Sequence, residues 1–284
     1  MNNIELSTVY LPLLDRVYKQ ASKTAILEGD EATMKRGDNG ELKVAKLDMD
    51  GLGDFSRNEG YTKGSTTFRW EVIKYDKERS QDLRIDRLDN AEALKLPFAK
   101  LSSEFIRTKV VPETDAARIS KIAGTVGIST KAETLEDGAS VISALRACTN
   151  KMDEDEVDAE NRILFITPTL KGMISDLDTT KSKEVLSKFS TIIEVPQSRM
   201  YTKIELKTGK TEYGYKKALD GKDINFLCVE KSAAVVHMEQ YIKYFTPDAD
   251  QIGDDNVFKY RNNNLYGHVY ENKLAGVYCS YKAS

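Results

Sequence analysis

Residues 42–75 limit what this chain can fold into more than any other stretch. Leu42–Leu47 and Thr66–Tyr75 read as two extended arms, because in Phe68-Arg-Trp70-Glu-Val72-Ile-Lys-Tyr75 apolar and charged residues partly alternate, as a strand requires. The tip between them, Gly53-Asp-Phe-Ser-Arg57-Asn-Glu59-Gly60-Tyr-Thr-Lys63-Gly64, is broken by glycines that free its backbone, and a charged return, Asp82-Leu-Arg84-Ile-Asp86-Arg87-Leu-Asp89, follows the second arm. A two-stranded hairpin is marginal in water and leaves two open edges. One this long and polar needs cover from outside its own subunit, which points to assembly rather than catalysis.

The rest of the composition narrows the function classes. The 284 residues are 40% hydrophobic and 31% charged, enough for one large domain or two modest ones with a real core. The 42 basic and 45 acidic side chains are finely interspersed, so no basic stripe of a nucleic-acid reader stands out. The start, Met-Asn-Asn-Ile-Glu, lacks the pattern of a signal peptide, and no apolar run reaches membrane-spanning length. Cys148, Cys228 and Cys279 are odd in number and far apart, which argues against a disulfide framework and for a soluble protein of a reducing cytoplasm.

Along the chain, Leu13, Leu14, Val17, Ala21 and Ala25 predict an N-terminal helix ending near Gly29, and residues 29–41 read as a flexible joint. Asp89 with Glu92 predicts a capped helix whose stripe is Ala91, Leu94, Phe98, Leu101 and Phe105; Pro97 should kink it or delay its start. Val110-Val111-Pro112 is expected to break that helix before a second one, Asp115–Ala123. Thr134 with Asp137 opens the next helix, and Thr167-Pro168 another. Strands are expected at Arg162–Thr167, Thr191–Val195, Ile224–Val229, Ala233–Glu239, Leu265–Tyr270 and Ala275–Tyr281. Mixed elements without regular βαβ alternation predict an α+β fold.

Catalytic and metal signatures fail on inspection. Gly209-Lys210-Thr211 ends like a phosphate loop, but Ile204 stands where its first glycine belongs, so a hairpin turn is the better reading. Gly51-Leu-Gly53 has Ser56 in place of the third glycine of a dinucleotide fingerprint. The stretch from Asp248 echoes a calcium loop but has Ile252 and Lys259 at ligand positions. Asp153–Glu160 holds six acids in eight residues and reads as a solvated loop. His237 and His268 are the only histidines and neither has a partner at zinc spacing. The tyrosine-rich C-terminus, without a basic surround, suits packing better than base stacking. No catalytic residue, cofactor or metal is therefore assigned, and the chain is not expected to be an enzyme.

The ordered series of parts resembles the major capsid protein of tailed bacteriophages, with the Hong Kong 97-type fold. Local strings fit too: Asp86-Arg-Leu-Asp89-Asn-Ala-Glu92, then Val111-Pro112-Glu113-Thr-Asp115-Ala-Ala-Arg118-Ile-Ser-Lys121-Ile-Ala123, look like the segment at that family's spine helix. Ile163-Leu-Phe-Ile-Thr167-Pro168 and Glu194-Val-Pro196-Gln-Ser-Arg199-Met200 look like its central-domain signatures. The resemblance implies an N-terminal arm over 1–41, an extended β-hairpin loop over 42–80, the spine helix and first part of the peripheral domain over 81–132, an axial domain over 133–240 and the rest of the peripheral domain over 241–284. It implies a subunit that builds hexameric and pentameric capsomers of an icosahedral shell around double-stranded DNA, with a scaffolding protein and a portal as partners and no membrane. Because the loop begins within the first sixth of the chain, scaffolding is expected as a separate protein or as a segment already removed. Assembly contacts are then expected at Gly53, Arg57, Glu59, Gly60, Lys63, Gly64, Arg69, Trp70, Asp82, Arg84, Asp86 and Arg87. Some relatives cross-link a loop lysine to a neighbour's asparagine, and Lys63 with Asn262, Asn263 or Asn264 is the candidate set, set against a plain solvated lysine and polar turn. Two rivals stand beside this reading: an encapsulin-like compartment of the same fold holding enzyme cargo, and a small α+β enzyme or ligand-binding protein.

Overall fold

A computed structural model describes residues 17–18, 21–29, 34–36, 41–58, 60–86, 96–177, 180–249 and 253–283. The strands, in chain order, are β1 (Met34–Arg36), β2 (Glu41–Met49), β3 (Thr66–Lys74), β4 (Lys77–Asp86), β5 (Ser129–Ala132), β6 (Arg162–Ile166), β7 (Thr191–Glu194), β8 (Ile204–Leu206), β9 (Tyr215–Lys217), β10 (Ile224–Glu230), β11 (Ala234–Phe245), β12 (Asp255–Val269) and β13 (Val277–Tyr281). The α-helices are α1 (Leu96–Phe105), α2 (Val111–Ala123), α3 (Gly138–Glu154), α4 (Pro168–Leu177) and α5 (Thr180–Leu186). Helix and sheet are mixed as the α+β expectation requires.

The core is a five-stranded sheet in the order β5-β13-β10-β6-β7, whose three central strands are buried on both faces. Every residue of β6 and β10 is buried, which is why their sequences run apolar without a polar face. Their side chains still alternate between two cores. Ile163, Phe165, Leu227, Val229, Val277 and Cys279 face a cluster shared with Ile119 and Ile122 of α2. Leu164, Ile166, Phe226, Cys228 and Tyr278 face the other, shared with Val141, Leu145 and Cys148 of α3, Leu170 and Ile174 of α4 and Val185 of α5.

A second sheet, β11-β12-β4, is antiparallel throughout. Its helix-facing side carries Phe258, Tyr260 and Leu83 against Phe105, Ile106, Val110 and Val111. The helical run from Leu96 to Ala123 therefore meets both sheets: Phe105, Ile106, Val110 and Val111 pack on the second, and Ile119 and Ile122 enter the core of the first.

That run corrects the expected break at Val110-Val111-Pro112. Ile106–Val110 widens into a π-helical turn that joins α1 to α2 without interruption, and the amide of Val111 donates to the carbonyl of Ile106. Pro112 offers no amide, and its ring would crowd the carbonyl of Thr108; widening the preceding turn accommodates both while the helix continues. The expected start at Asp89, with Glu92, Ala91 and Leu94, lies outside the described residues, and Pro97 sits in the first described turn of α1.

Three further expectations change. Asp137, not Thr134, caps α3: its carboxylate accepts from the Ser140 amide at 2.8 Å, the Ser140 hydroxyl returns a contact to the Asp137 amide, and these bonds hold the Asp137 carboxyl below its ordinary pKa. The joint at 29–41 contains β1, which pairs Met34–Arg36 against Leu42–Val44. Leu13 and Leu14 of the predicted N-terminal helix lie outside the described residues; Val17, Tyr18 and Ala21 are helical, but the helix does not run on to Gly29, and a 3₁₀ turn at Ala25–Leu27 closes the segment instead. The Gly209 turn is a hairpin loop between β8 and β9, with left-handed backbone at Gly209 and Gly214.

Candidate assembly surface

β2 and β3 pair in register over nine positions, from Glu41↔Lys74 to Met49↔Thr66, a ribbon of roughly 30 Å. Its root is held in three ways. Leu42, Val44 and Ile73 are buried with Val235 and Leu265. At the corner after β3, the Asp76 carboxylate accepts from Lys121 Nζ of α2 at 2.9 Å and from the Tyr266 amide of β12 at 2.9 Å. The next strand, β4, then pairs with β12 over ten positions.

Beyond the root the ribbon leaves the body, and every residue from Tyr61 to Trp70 is exposed. Side chains on one face alternate by two and match across the ladder, so Leu47, Met49, Phe68, Trp70 and Val72 share a face. They are 55%, 65%, 60%, 37% and 48% exposed. Phe68 and Trp70 meet edge to face with centroids 5.7 Å apart. At the tip Leu52, Phe55 and Tyr61 are also exposed, the last two again edge to face at 5.2 Å. Eight of the twelve large apolar residues exposed among the described residues therefore lie on this one element. A contiguous apolar strip of that kind is a candidate contact surface.

The sequence-predicted contact residues fall into two groups. Gly53, Arg57, Gly60, Lys63, Gly64, Arg69 and Trp70 lie on the projecting ribbon. Gly60 closes the tip: its left-handed backbone (φ +83°) lets it exchange both amide–carbonyl bonds with Ser56. Asp82, Arg84 and Asp86 instead lie on β4 in the second sheet. There Arg84 reaches Asp82 at 3.3 Å and Asp255 at 3.9 Å, and Lys259 reaches Asp82 at 3.9 Å, so charges expected to meet a neighbour also meet within the subunit. Glu59 and Arg87 lie outside the described residues. The apolar strip was the part missed: the arms read as polar, although Phe68, Trp70 and Val72 interleave with Arg69 and Glu71, and Leu47 and Met49 stand two apart. That period-two signal becomes a face only once the β2–β3 register is known.

The three asparagines of the candidate cross-link do not stand alike. Asn262 and Asn264 are buried in a ladder, Asn264 Nδ2 to Asn262 Oδ1 at 2.9 Å, Asn262 Nδ2 to the Tyr260 hydroxyl at 3.1 Å, and that hydroxyl to Gln240 Oε1 at 3.1 Å. Asn263 points to the opposite side of β12 and is partly exposed.

Two buried charge clusters hold the body together. Asp115 on α2, fully buried, accepts from the Ser22 hydroxyl (2.7 Å), the Lys23 amide (3.0 Å), the Thr24 hydroxyl (2.6 Å) and Arg199 Nη1 (3.1 Å). One turn on, buried Arg118 donates to Glu28 Oε1 at 3.0 Å and lies over the Tyr18 ring, whose hydroxyl burial drives above its ordinary pKa. The N-terminal segment is thereby tied to α2 and, through Arg199, to the stretch after β7. The acidic run has a similar use, since Asp153 meets buried Arg162 at 2.6 Å and the carbonyls of Val157 and Asp158 accept from the same guanidinium. Among the described residues no cluster of His, Cys, Asp or Glu could hold a metal ion, and no helix is long and apolar enough to cross a membrane.

No protein-family model matches the chain, and no curated protein sequence matches it. Solved structures do. The chain is 14% identical to a subunit of the capsid of cyanophage P-SCSP1u, covering 88% of this chain and 85% of that one with a TM-score of 0.57. It is 10% identical to a subunit of the mature capsid of bacteriophage PhiM1, covering 88% and 84% with a TM-score of 0.56. It is 11% identical to the virus-like particle from Pyrococcus furiosus, covering 95% and 99% with a TM-score of 0.56. The chain thus has the tailed-phage major capsid fold, as its order of parts suggested.

Proposed function

We propose that this chain is the structural subunit of an icosahedral shell that encloses the double-stranded DNA of a tailed phage. The observation that carries the reading is the exposed strip Leu47, Met49, Phe68, Trp70 and Val72 on a ribbon anchored at only one end. The nearest cover for it is another copy of the same molecule, repeated around hexameric and pentameric capsomers. In this reading residues 42–80 are the extended loop, residues 81–132 supply the spine helix and the first part of the peripheral domain, residues 133–240 form the axial domain, and residues 241–284 complete the peripheral domain. Burying a phenylalanine stabilises by about 1.5–3 kcal/mol, and a shell repeats that gain at every contact, so modest interfaces suffice. Tip residues Arg57 and Lys63, together with Arg69, set the register of the contact by charge. Scaffolding protein and portal join during assembly in the bacterial cytoplasm, and the packaged DNA is met without sequence preference. The chain performs no catalysis in this role. Lys63 is the loop end of a candidate isopeptide link, and Asn263 is the one of the three asparagines exposed enough to receive it; particles that run only as monomers on denaturing gels would remove that link.

One alternative rests on the same fold, which the chain shares with the Pyrococcus furiosus virus-like particle: an encapsulin-like compartment with the same kind of shell and a protein cargo. Electron microscopy of the protein expressed alone and with its gene neighbours tests the proposal. Closed shells are expected, with DNA inside for the phage reading and enzyme cargo for the compartment. The Phe68→Ser/Trp70→Ser double variant should leave a folded subunit that forms no shells. Shells of normal yield from that variant would contradict the use assigned to the ribbon, and a monomer that turns over a substrate would favour the enzyme reading.

A further inference from the structure

One of the two histidines is aimed at the hairpin root by a defect in the neighbouring sheet. β11 and β12 pair regularly except near Gly267, where Val235 faces His268 but His237 faces Leu265, so β12 carries one extra residue. In a regular strand Leu265 and His268 would point to opposite faces; the bulge brings them to the same one. Leu265 and Tyr270 both pack with Leu42, Val44 and Ile73 of the root, and His268 stands edge-on to Tyr270 with centroids 5.5 Å apart. The bulge is held by close packing, because a Cβ on Gly267 would lie 2.6 Å from Cγ1 of Ile122 on α2. His268 Nε2 consequently lies 3.5 Å from Glu71 Oε1, on β3 next to Trp70 and two residues from buried Ile73. Both side chains are about one-third exposed, at 32% and 34%, so solvent protons reach them. Among the described residues, the titratable groups standing against His268 are Glu71 of β3 and Tyr270 of its own segment, and the residue opposite on β11 is Val235. Glu71 also acts on Tyr270: burial first, then that carboxylate, raises the phenol above its ordinary pKa.

From this geometry we infer that the Glu71–His268 contact is a proton-operated brace at the root of the hairpin. A protonated imidazole forms a charge-assisted pair with Glu71 and holds the ribbon to the body; a neutral one releases that restraint and lets the ribbon swing. The brace regulates the ribbon's role proposed above and rests on it. Part-exposed pairs are weak, so the proton changes the docked-to-loose ratio of the root by roughly 1.5- to 5-fold rather than switching it outright.

Trp70 is the only tryptophan of the chain and adjoins Glu71, so the anisotropy decay of its fluorescence in unassembled subunits reads the ribbon's motion directly. The amplitude of fast motion should be about 1.5- to 5-fold smaller at about pH 5.5 than at about pH 8. His268→Gln and Glu71→Gln should each remove that difference, His268→Arg should keep the motion small at both values, and His237→Gln should preserve the wild-type response. An unchanged amplitude across this range in the wild type, or a full response in His268→Gln with its melting profile intact, would overturn the brace. Because the reading is taken before assembly, a working brace in a protein that never forms shells would count against the shell alone, and shells built from ribbons indifferent to pH would count against the brace alone.

Discussion

The five-stranded sheet and the β2–β3 ribbon place their apolar side chains in opposite ways. In the sheet, alternate residues of β6, β10 and β13 enter two cores, and both are closed by helices of the same chain. In the ribbon, one face closes at the root through Leu42, Val44 and Ile73, while the other carries Leu47, Met49, Phe68, Trp70 and Val72 into solvent. Strand periodicity is the same in both. What differs is whether the chain supplies the covering layer: the sheet is completed within the subunit, and the ribbon leaves an apolar face open to the neighbouring copy proposed above.

The largest effect expected from breaking this contrast lies in the sheet. Phe226 is fully buried and stacked on Tyr278 with centroids 6.2 Å apart. Phe226→Ala should cost about 3–5 kcal/mol of subunit stability in denaturant titration. A cost under about 1 kcal/mol would show that the sheet is not the self-sufficient region. Next comes the junction around Asp115. Asp115→Ala leaves Arg199 and the Lys23 amide without their acceptor, and a loss of about 3–5 kcal/mol is expected, with faster proteolysis ahead of Leu27. Normal proteolytic resistance there would mean that the N-terminal segment is held by other contacts.

A smaller and graded effect is expected from alkali. Burial raises the Cys279 thiol from about 9 to about 12 and the Cys148 thiol well above its ordinary value. Between pH 9 and 12 the unfolded chain has lost the Cys279 proton that the folded chain keeps, so stability is full below this window and falls through it. The slope contributed by each such thiol is about 1.4 kcal/mol per pH unit. Melting temperature followed across this window checks the sign, and Cys279→Ala should flatten the slope. The ribbon, whose described residues include no cysteine, contributes nothing to it.

Much of the sheet was legible in sequence because its signals are local. Ile163–Ile166 and Ile224–Val229 are short apolar runs, and a buried strand needs little more. The ribbon was legible as an element from its glycine tip and partial alternation, and its projection followed from the missing cover. Its apolar strip was not, because joining Leu47 and Met49 to Phe68 and Trp70 needs a register that only the folded ladder supplies. The continuous α1–α2 run was hidden for another reason: Pro112 is a helix breaker by local chemistry, and a π-turn ahead of it is favoured only by packing on both sheets. The Gly267 bulge was equally invisible, since its meaning depends on Ile122 lying above it.

Hydroxyl-radical footprinting of free subunits and assembled particles measures the cover over the ribbon residue by residue. Strong oxidation of Leu47, Met49, Phe55, Tyr61, Phe68 and Trp70 in free subunits, with marked protection of the strip in particles, is the predicted result. Equal oxidation of these side chains in both states would contradict the claim that the ribbon is completed by a neighbouring copy.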